Sequence, residues 1–128
     1  MRQSVFASGS LAVPGFLEAA GPSAEGVVVA LPYDCDRRDA AATAFWERYR
    51  AAYGQEPDMF AAYAYDGANL LIAAIRSAGL NRARIRDALS GTADFHGVTG
   101  EMRFDKTGGN TVPVRLGMIV RDRLEPVK

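Results

Sequence analysis

The stretch Pro57 to Gly79, PDMFAAYAYDGANLLIAAIRSAG, predicts one long helix around which the rest of the chain is organised. Proline leaves no N–H unpaired at the start of a helix, and glycine readily adopts the left-handed conformation that ends one. Apolar or small residues recur at the helical period of three and four, and these are Phe60, Ala64, Gly67, Ala68, Leu71, Ile75 and Ala78. Between residues 59 and 78 the only ionisable groups besides two tyrosines are Asp66 and Arg76. We therefore expect a helix that is buried on most sides, and its many Ala and Gly residues argue against a membrane span.

Length and composition place the chain among folded globular proteins of one ordinary domain. It has 128 residues, of which 48% are hydrophobic and 23% are charged. Fifteen basic and fifteen acidic side chains cancel, so nothing favours nucleic acid or an anionic membrane as a partner. The single cysteine excludes an internal disulfide. The N-terminus lacks an apolar segment of adequate length, so no signal peptide is predicted.

The run Gly26 to Leu31, GVVVAL, predicts a strand. It is uninterrupted, rich in β-branched residues and bounded by Gly and Pro, which is typical of a strand buried on both faces of a parallel sheet. Tyr33 lies in the loop that follows, at the carboxyl end of the strand. Ligands of open α/β sheets bind at that end.

Two further helices are predicted on either side of the long one. Asp36 or Asp39 can cap a helix from Ala40 to Tyr53, and Asn81 can cap a shorter helix from Arg82 to Leu89. A short helical turn is predicted from Phe16 to Ala20. Three helices therefore make up the body of the chain.

The last third of the chain is rich in strand-forming residues. Asp105 to Asn110, DKTGGN, predicts the turn of a hairpin, and Val112 to Val120 predicts a strand. Arg121 to Arg123 predicts an exposed turn before a last apolar segment, Leu124 to Val127. The element order predicts an α/β fold with three helices, a few strands and a C-terminal β-hairpin.

The sequence carries no catalytic or metal-binding constellation. His96 is the only histidine, which argues against a histidine metal site and leaves a Ser-His-Asp triad a single possible base. The acids Asp34, Asp36 and Asp39 lack the glycine and the distant glutamate of a calcium loop. Cys35 lies among these acids, which disfavour a reactive thiolate. We predict a protein that is not an enzyme and needs no metal or cofactor.

A few positions are suggestive of binding rather than catalysis. Glu25 immediately precedes the predicted strand, where a carboxylate can cap a loop or bind a cationic ligand group. Tyr63, Tyr65 and Asp66 lie near the start of the long helix, where an acid is favoured by the helix dipole. For each tyrosine, packing in the core with a bonded hydroxyl is the simpler interpretation.

Four blocks of sequence in a fixed order resemble one family. These are FLEAAGPSAEGVVVA (16–30), FWERYRAAYGQEPD (45–58), AYAYDGANLLIAAIRSAG (62–79) and FHGVTGEMRFDKTGG (95–109). Together they resemble the C-terminal part of type I periplasmic solute-binding proteins, the receptors of branched-chain amino-acid ABC transporters. The resemblance runs from Phe16 to Val120, which is nearly the whole chain.

The resemblance implies a receptor with two three-layer α/β/α lobes that close on a small molecule, such as Leu, Ile or Val, and deliver it to a transporter permease. It implies that Glu25 contacts the α-ammonium group of the ligand and that Tyr33 lines the cleft, with Tyr65 and Asp66 as further candidates. It places the full-length family in the periplasm.

The resemblance also implies that residues 1–128 form a single segment equivalent to the C-terminal half of such a receptor, with the N-terminal half and the signal peptide absent. Surfaces that the other half covers would then be exposed. We therefore expect self-association into a homo-oligomer. A ligand-free, oligomerising remnant of a receptor is the alternative function.

Overall fold

The computed structural model describes residues 3–11, 13–31 and 37–127. The helices are α1 (Pro14–Ala20), α2 (Ala40–Tyr53), α3 (Met59–Ala78) and α4 (Arg82–Ser90). The strands are β1 (Phe6–Ser8), β2 (Val28–Leu31), β3 (Phe95–Gly97), β4 (Gly100–Met102), β5 (Arg115–Val120) and β6 (Arg123–Pro126). The short 3-10 turns Gly9–Leu11 and Gly21–Ala24 flank α1. This mixed α/β content agrees with the predicted fold class.

The chain divides into two compact units. The first unit combines Met1–Asp34 with Pro113–Lys128, and the second is Cys35–Val112. Two crossings of the chain therefore connect the units, and each unit contains strands and helices of its own.

The first unit is built on a four-stranded sheet in the order β1-β2-β5-β6. β1 pairs with β2 in parallel, whereas β2–β5 and β5–β6 are antiparallel. Val29 and Ile119 have no exposed surface and form the centre of its core. The exposed turn predicted at Arg121–Arg123 is confirmed, since β5 and β6 pair on either side of it and Arg121 and Asp122 both have positive φ there.

Two details of the first unit differ from the sequence predictions. β1 is a strand that periodicity did not indicate, because three residues are too few to show a pattern. β2 was expected to be buried on both faces, and this is wrong: Val29 and Leu31 are buried, but Val28 and Ala30 remain half-buried. One face of the sheet is therefore incompletely covered within this unit.

The second unit contains the three predicted helices. α2 has the predicted bounds, and α3 and α4 agree within two residues. Each helix is preceded by an N-cap residue whose side chain accepts a hydrogen bond from the backbone N–H three residues later. These bonds run from Ala42 to Asp39, from Ala61 to Asp58 and from Arg84 to Asn81. Gly79 ends α3 with the positive φ that was expected, 70°, but its ψ of −169° is not the left-handed helical value, which is observed instead for Gly54 at the end of α2.

The buried face of α3 differs from the predicted one. The buried residues are Ala62, Asp66, Leu70 and Ala74, whereas Phe60, Ala64, Gly67, Ala68 and Leu71 are exposed. A helix that is apolar on most sides has two faces that could be buried, and its periodicity cannot choose between them. The face that packs is the one that carries Asp66, whose carboxylate is hydrogen-bonded inside the unit.

The hairpin predicted around Asp105–Asn110 is wrong. The turn exists, and the Asp105 carboxylate accepts hydrogen bonds from Thr107 and Gly109. However, only the isolated bridge between Phe104 and Asn110 joins its two sides. The strand before the turn pairs with β3, and the strand after it pairs with β2 and β6.

Across the described ranges, no helix is long and apolar enough to cross a membrane.

Candidate ligand-binding site

The carboxyl ends of β1 and β2 lie at the same edge of the sheet. Their parallel register pairs Phe6 with Val28 and Ser8 with Ala30, so both strands end side by side. Ligands of open α/β sheets bind beyond the carboxyl ends of parallel strands. This edge is therefore the candidate binding site of the first unit.

Two serine hydroxyls lie at the end of β1. Ser8 is the last residue of the strand, and its Oγ is 2.5 Å from the Oγ of Ser10 in the following 3-10 turn. Both residues are exposed. A hydroxyl donates and accepts hydrogen bonds, so a serine pair can bind either end of a zwitterion. Sequence reasoning missed these residues because it did not predict β1, and the motif Ser8-Gly9-Ser10 was the signal that could have found them.

Glu25 lies at the other end of β2. It follows the 3-10 turn Gly21–Ala24, and its Oε2 accepts a hydrogen bond from the N–H of Arg121 at 2.9 Å. Arg121 and Asp122 both have positive φ, at 50° and 59°, in the β5–β6 turn. The four residues of β2, each rising about 3.3 Å, put about 10 Å of strand between the two ends. The carboxylate of Glu25 thus supports a turn at the amino end of the strand.

Tyr33, the predicted cleft residue, lies outside the described residues. Tyr65 belongs to the second unit, where its side chain is 38% exposed. Its ring packs against Phe45 with the centroids 4.8 Å apart and the planes tilted by 44°. This is the tilted contact that aromatic pairs favour.

An aromatic cavity of about 430 Å³ opens between α2 and α3 beside this pair. Four rings line it, those of Phe45, Tyr49, Tyr53 and Tyr65, together with Arg48. Its volume is within the range of small-molecule pockets, about 300–1,000 Å³. The rings also pack along α2, since the Tyr49 and Tyr53 centroids are 4.6 Å apart. The cavity is therefore a second candidate site, separate from the edge of β1 and β2, and Tyr65 is one of the residues that line it.

Asp66 is enclosed within the second unit, with 1% of its surface exposed. Its Oδ1 accepts from the N–H of Val98 at 2.8 Å. Its Oδ2 accepts from the N–H and the hydroxyl of Thr99, at 2.8 and 2.6 Å. Both carboxylate oxygens are thus used to hold the turn between β3 and β4, and Gly97 leaves the space for this close approach, because an added Cβ would overlap the carboxylate.

Metal-binding clusters are absent from the part of the chain that the structure describes, where no three His, Cys, Asp or Glu side chains converge. His96 is exposed on β3. Asp39 is held in its ionised form by hydrogen bonds at the start of α2. The Ala42 N–H and the neighbouring Arg37 guanidinium donate to its carboxylate and hold its pKa below the ordinary value.

Comparison with known proteins extends over nearly the whole chain. The family model described as periplasmic binding protein matches residues 2–123. No protein of curated function matches the sequence significantly. Among solved structures, the chain is 31% identical to a putative branched-chain amino acid ABC transporter protein from Rhodospirillum rubrum, with a TM-score of 0.75. The match covers 99% of this chain and 38% of that one.

Two further structures are similar. One is the leucine-binding protein LivK from Thermotoga maritima, at 25% identity and a TM-score of 0.85, covering 100% of this chain and 37% of that one. The other is the substrate-binding protein LivJ from Streptococcus pneumoniae in complex with isoleucine, at 28% identity and a TM-score of 0.81, covering 98% and 37%. The chain thus spans well under half the length of these receptors. The family match over residues 2–123 shows that the chain belongs to the periplasmic binding protein family.

Proposed function

We propose that this chain is part of the substrate-binding component of an ABC transporter and that its ligand is an amino acid such as leucine, isoleucine or valine. The observation that carries the proposal is the similarity of 98% of the chain to LivJ, whose structure contains isoleucine. The relatives are transport binding proteins, and we propose that this chain likewise binds rather than converts its ligand.

The carboxyl edge of β1 and β2 is the proposed contact surface in the first unit. The hydroxyls of Ser8 and Ser10 supply donors and acceptors for the polar end of an amino acid. Tyr33, in the loop that follows β2 in sequence, is proposed to line the same cleft. Tyr65 is proposed as a ligand contact within the second unit, because it is partly exposed and lines the aromatic cavity there.

Glu25 and Asp66 are each given a second role by their hydrogen bonds. The ammonium-binding role of Glu25 stays a prediction, and its bond to Arg121 supports a role in holding the β5–β6 turn. Asp66 is proposed to position the β3–β4 turn rather than to contact the ligand directly, because three donors already occupy its carboxylate.

The transporter context is proposed from the family. The intact receptor would act in the periplasm, release its ligand to a membrane permease and require no cofactor. Self-association of this chain and the alternative of a ligand-free remnant both stay predictions. They rest on the expectation that surfaces which the other half of a receptor would cover are exposed in this chain.

The test is calorimetric and thermal-shift titration of the chain with L-isoleucine, L-leucine, L-valine and benzoate, the last as an acid without an ammonium group. A ligand that binds only the native state raises the melting temperature by RT ln(1 + [L]/Kd) divided by the unfolding entropy. We expect a shift with at least one amino acid. The same titrations are made with the chain joined to the part of the R. rubrum relative that it does not span.

The double variant Ser8→Ala, Ser10→Ala tests the proposed contact surface, because it removes both hydroxyls. Both serines are exposed, so the stability of the free protein should change by no more than about 0.5 kcal/mol. We expect the apparent affinity for the amino acid, calculated from the ligand-induced shift in melting temperature, to fall at least tenfold. An absence of binding to every amino acid, alone and in the joined form, would overturn the proposed function and leave the remnant as the better interpretation.

A further inference from the structure

The four aromatic rings that line the cavity between α2 and α3 form one continuous row. Phe45, Tyr49 and Tyr53 recur at every fourth residue of α2, so they lie on one face of that helix. The Phe45 and Tyr49 centroids are 5.8 Å apart, and those of Tyr49 and Tyr53 are 4.6 Å apart. Tyr65 of α3 extends the row, since its ring packs against Phe45 at 4.8 Å. We call these four residues the aromatic row.

The aromatic row is buried at Phe45 and open to solvent at its two ends. Phe45 is 5% exposed, whereas Tyr65 is 38% exposed and Tyr53 is 67% exposed. Neighbouring rings are tilted by 44° to 52°, an arrangement in which aromatic pairs attract one another. A further ring that entered the cavity would make contacts of the same kind and would bury apolar surface. The row therefore suits a ligand that contains an aromatic ring.

Small side chains on α3 leave the space beside the row. Ala61 and Ala64 line the cavity together with Tyr65, and Ala64 is exposed. A larger side chain at position 64 would occupy part of this space. All the described residues of the lining belong to the second unit, so the cavity is formed by two helices of one compact body.

A single charged residue, Arg48, is among the described residues that line the cavity. Its Nε donates to the carbonyl oxygen of Ala44 at 3.0 Å, which holds the guanidinium along α2 and leaves its terminal N–H groups for a ligand. No carboxylate of the described residues pairs with it. Arg50 on the same helix, by contrast, pairs with Glu56 at 2.6 Å. The terminal N–H groups of an arginine can donate to both oxygens of one carboxylate.

The charge of Arg48 decides which kind of ligand the rings can hold. Aromatic faces attract either another ring or a cation, and the rings alone would permit both. The guanidinium repels a cation and attracts an anion. An amino acid suits this lining less well than a simple acid, because its ammonium group finds no carboxylate among the described lining residues.

We propose that the cavity between α2 and α3 binds a planar aromatic acid, whose ring packs against the aromatic row and whose carboxylate pairs with Arg48. The inference deepens the proposed function and rests on it at one point only, because Tyr65 is a ligand contact in both. The ligand class differs from the amino acid proposed for the edge of β1 and β2. The site makes no use of Ser8 or Ser10.

The experiment is an NMR titration of the chain with three matched probes. Phenylacetate has the ring and the acid, phenethylamine has the ring with the opposite charge, and cyclohexylacetate has the acid without an aromatic ring. The backbone amide shifts of α2 and α3 locate the bound probe. We expect phenylacetate to bind there with a dissociation constant on the order of 1 mM.

The other two probes separate the roles of charge and ring. We expect phenethylamine to bind at least tenfold more weakly than phenylacetate, and cyclohexylacetate about threefold to tenfold more weakly. Equal binding of phenethylamine would overturn the role of Arg48. Equal binding of cyclohexylacetate would overturn the aromatic ligand class.

Arg48→Met removes the charge but keeps an unbranched apolar side chain, and it should weaken phenylacetate binding at least tenfold. Arg50→Met is the matched control, because Arg50 is exposed on the same helix and is not among the residues that line the cavity. It should leave the binding unchanged. Both arginines are exposed, so both variants should keep the melting temperature of the wild-type chain.

Ala64→Leu fills the cavity and should abolish phenylacetate binding. Its control is Ala68→Leu, one turn further along α3 at another exposed alanine, which should bind as the wild-type chain does. Alanine and leucine have similar helix propensities, so both variants should remain folded. Unchanged binding in Ala64→Leu, or amide shifts confined to the first unit, would overturn the proposed location.

A second titration separates this inference from the proposed function. Phenylacetate and L-isoleucine should bind at the same time, and the double variant Ser8→Ala, Ser10→Ala should weaken only L-isoleucine. Competition between the two ligands would overturn the separate site. Phenylacetate binding without binding of any amino acid would overturn only the proposed function, and L-isoleucine binding by a chain that does not bind phenylacetate would overturn only this inference.

Discussion

Asp66 and Thr99, which are 33 residues apart in the sequence, are joined by two hydrogen bonds in the interior of the second unit. The N–H of Thr99 donates to Oδ2 of Asp66 at 2.8 Å, and its hydroxyl donates to the same oxygen at 2.6 Å. Val98 donates its N–H to the other oxygen. A hairpin turn that is buried must have its backbone N–H groups satisfied, and a side chain of α3 does this here.

We expect Asp66→Asn to lower the free energy of unfolding of the second unit by about 1–3 kcal/mol. The amide keeps one acceptor oxygen but replaces the other by an NH₂ group, which leaves a buried donor without an acceptor. Urea unfolding followed by the fluorescence of Trp46, the only tryptophan, measures this unit directly. Thr99→Val is the graded control. It removes only the hydroxyl bond, and a loss of about 1 kcal/mol is expected. A smaller loss for Asp66→Asn than for Thr99→Val would contradict the account.

Gly97→Ala tests the close approach of the β3 backbone to α3. An added Cβ would overlap the carboxylate of Asp66, so the turn or the helix must shift, at a cost of about 1–3 kcal/mol. Gly67→Ala is the matched control on α3, since nothing lies within 4 Å of a Cβ added there. Replacing glycine by alanine inside a helix should stabilise it by about 1 kcal/mol. Equal effects of the two substitutions on urea unfolding would count against this packing.

Glu25 has two proposed roles, support of the β5–β6 turn through Arg121 and contact with the ligand, and two substitutions separate them. Glu25→Gln keeps a carbonyl oxygen that can accept the Arg121 N–H, whereas Glu25→Ala removes the acceptor. We expect Glu25→Ala to lower stability by about 1 kcal/mol and Glu25→Gln to change it by less than half as much. The melting temperature followed by circular dichroism measures both.

The same pair tests the predicted contact with the ligand. If Glu25 contacts the ammonium group, as the resemblance implies, Glu25→Gln should weaken the binding of L-isoleucine, because the amide carries no charge to pair with the ammonium group. The comparison ligand is benzoate, which has no ammonium group. A loss of isoleucine binding with benzoate binding unchanged would establish the ammonium contact that the sequence resemblance implies.

The loop around Asp105 predicts a dependence of stability on pH. The hydroxyl of Thr107 and the N–H groups of Gly109 and Thr107 hold the pKa of Asp105 below its ordinary value of 3.8. A carboxyl group with a lowered pKa stabilises the folded state above the unfolded pKa, and this contribution is lost as the pH falls through the folded pKa. We expect the melting temperature to fall below about pH 4, and to fall less steeply in Asp105→Asn. Parallel pH profiles of the two proteins would disprove the effect.

Local signals in the sequence were sufficient for the helices of the second unit. Capping side chains such as Asp39 and Asn81, and terminators such as Gly54 and Gly79, act within a few residues of the backbone groups that they satisfy. Their effects are therefore encoded where they occur. The turn between β5 and β6 was predictable for the same reason, because the turn and the two strands that it joins are contiguous in the chain.

The candidate site was less predictable because strand pairing is not local. Ser8 and Ser10 become candidates only when β1 is placed parallel to β2, some 20 residues later in the sequence. The turn at Asp105 was correctly recognised, but the strands before and after it pair in two different sheets. A turn signal fixes a change of direction and not the partners of the strands that it joins.

By itself, the sequence determined the helices, the α/β class and the family resemblance, since these depend on short-range patterns and on the order of the blocks. Only the tertiary structure decided which face of α3 is buried and which one remains apolar and exposed. The reason is that hydrophobicity is not directional, so a helix that is apolar on both sides can bury either. The hydrogen bonds of Asp66 to Val98 and Thr99 fix the choice, because its carboxylate could not be buried without them.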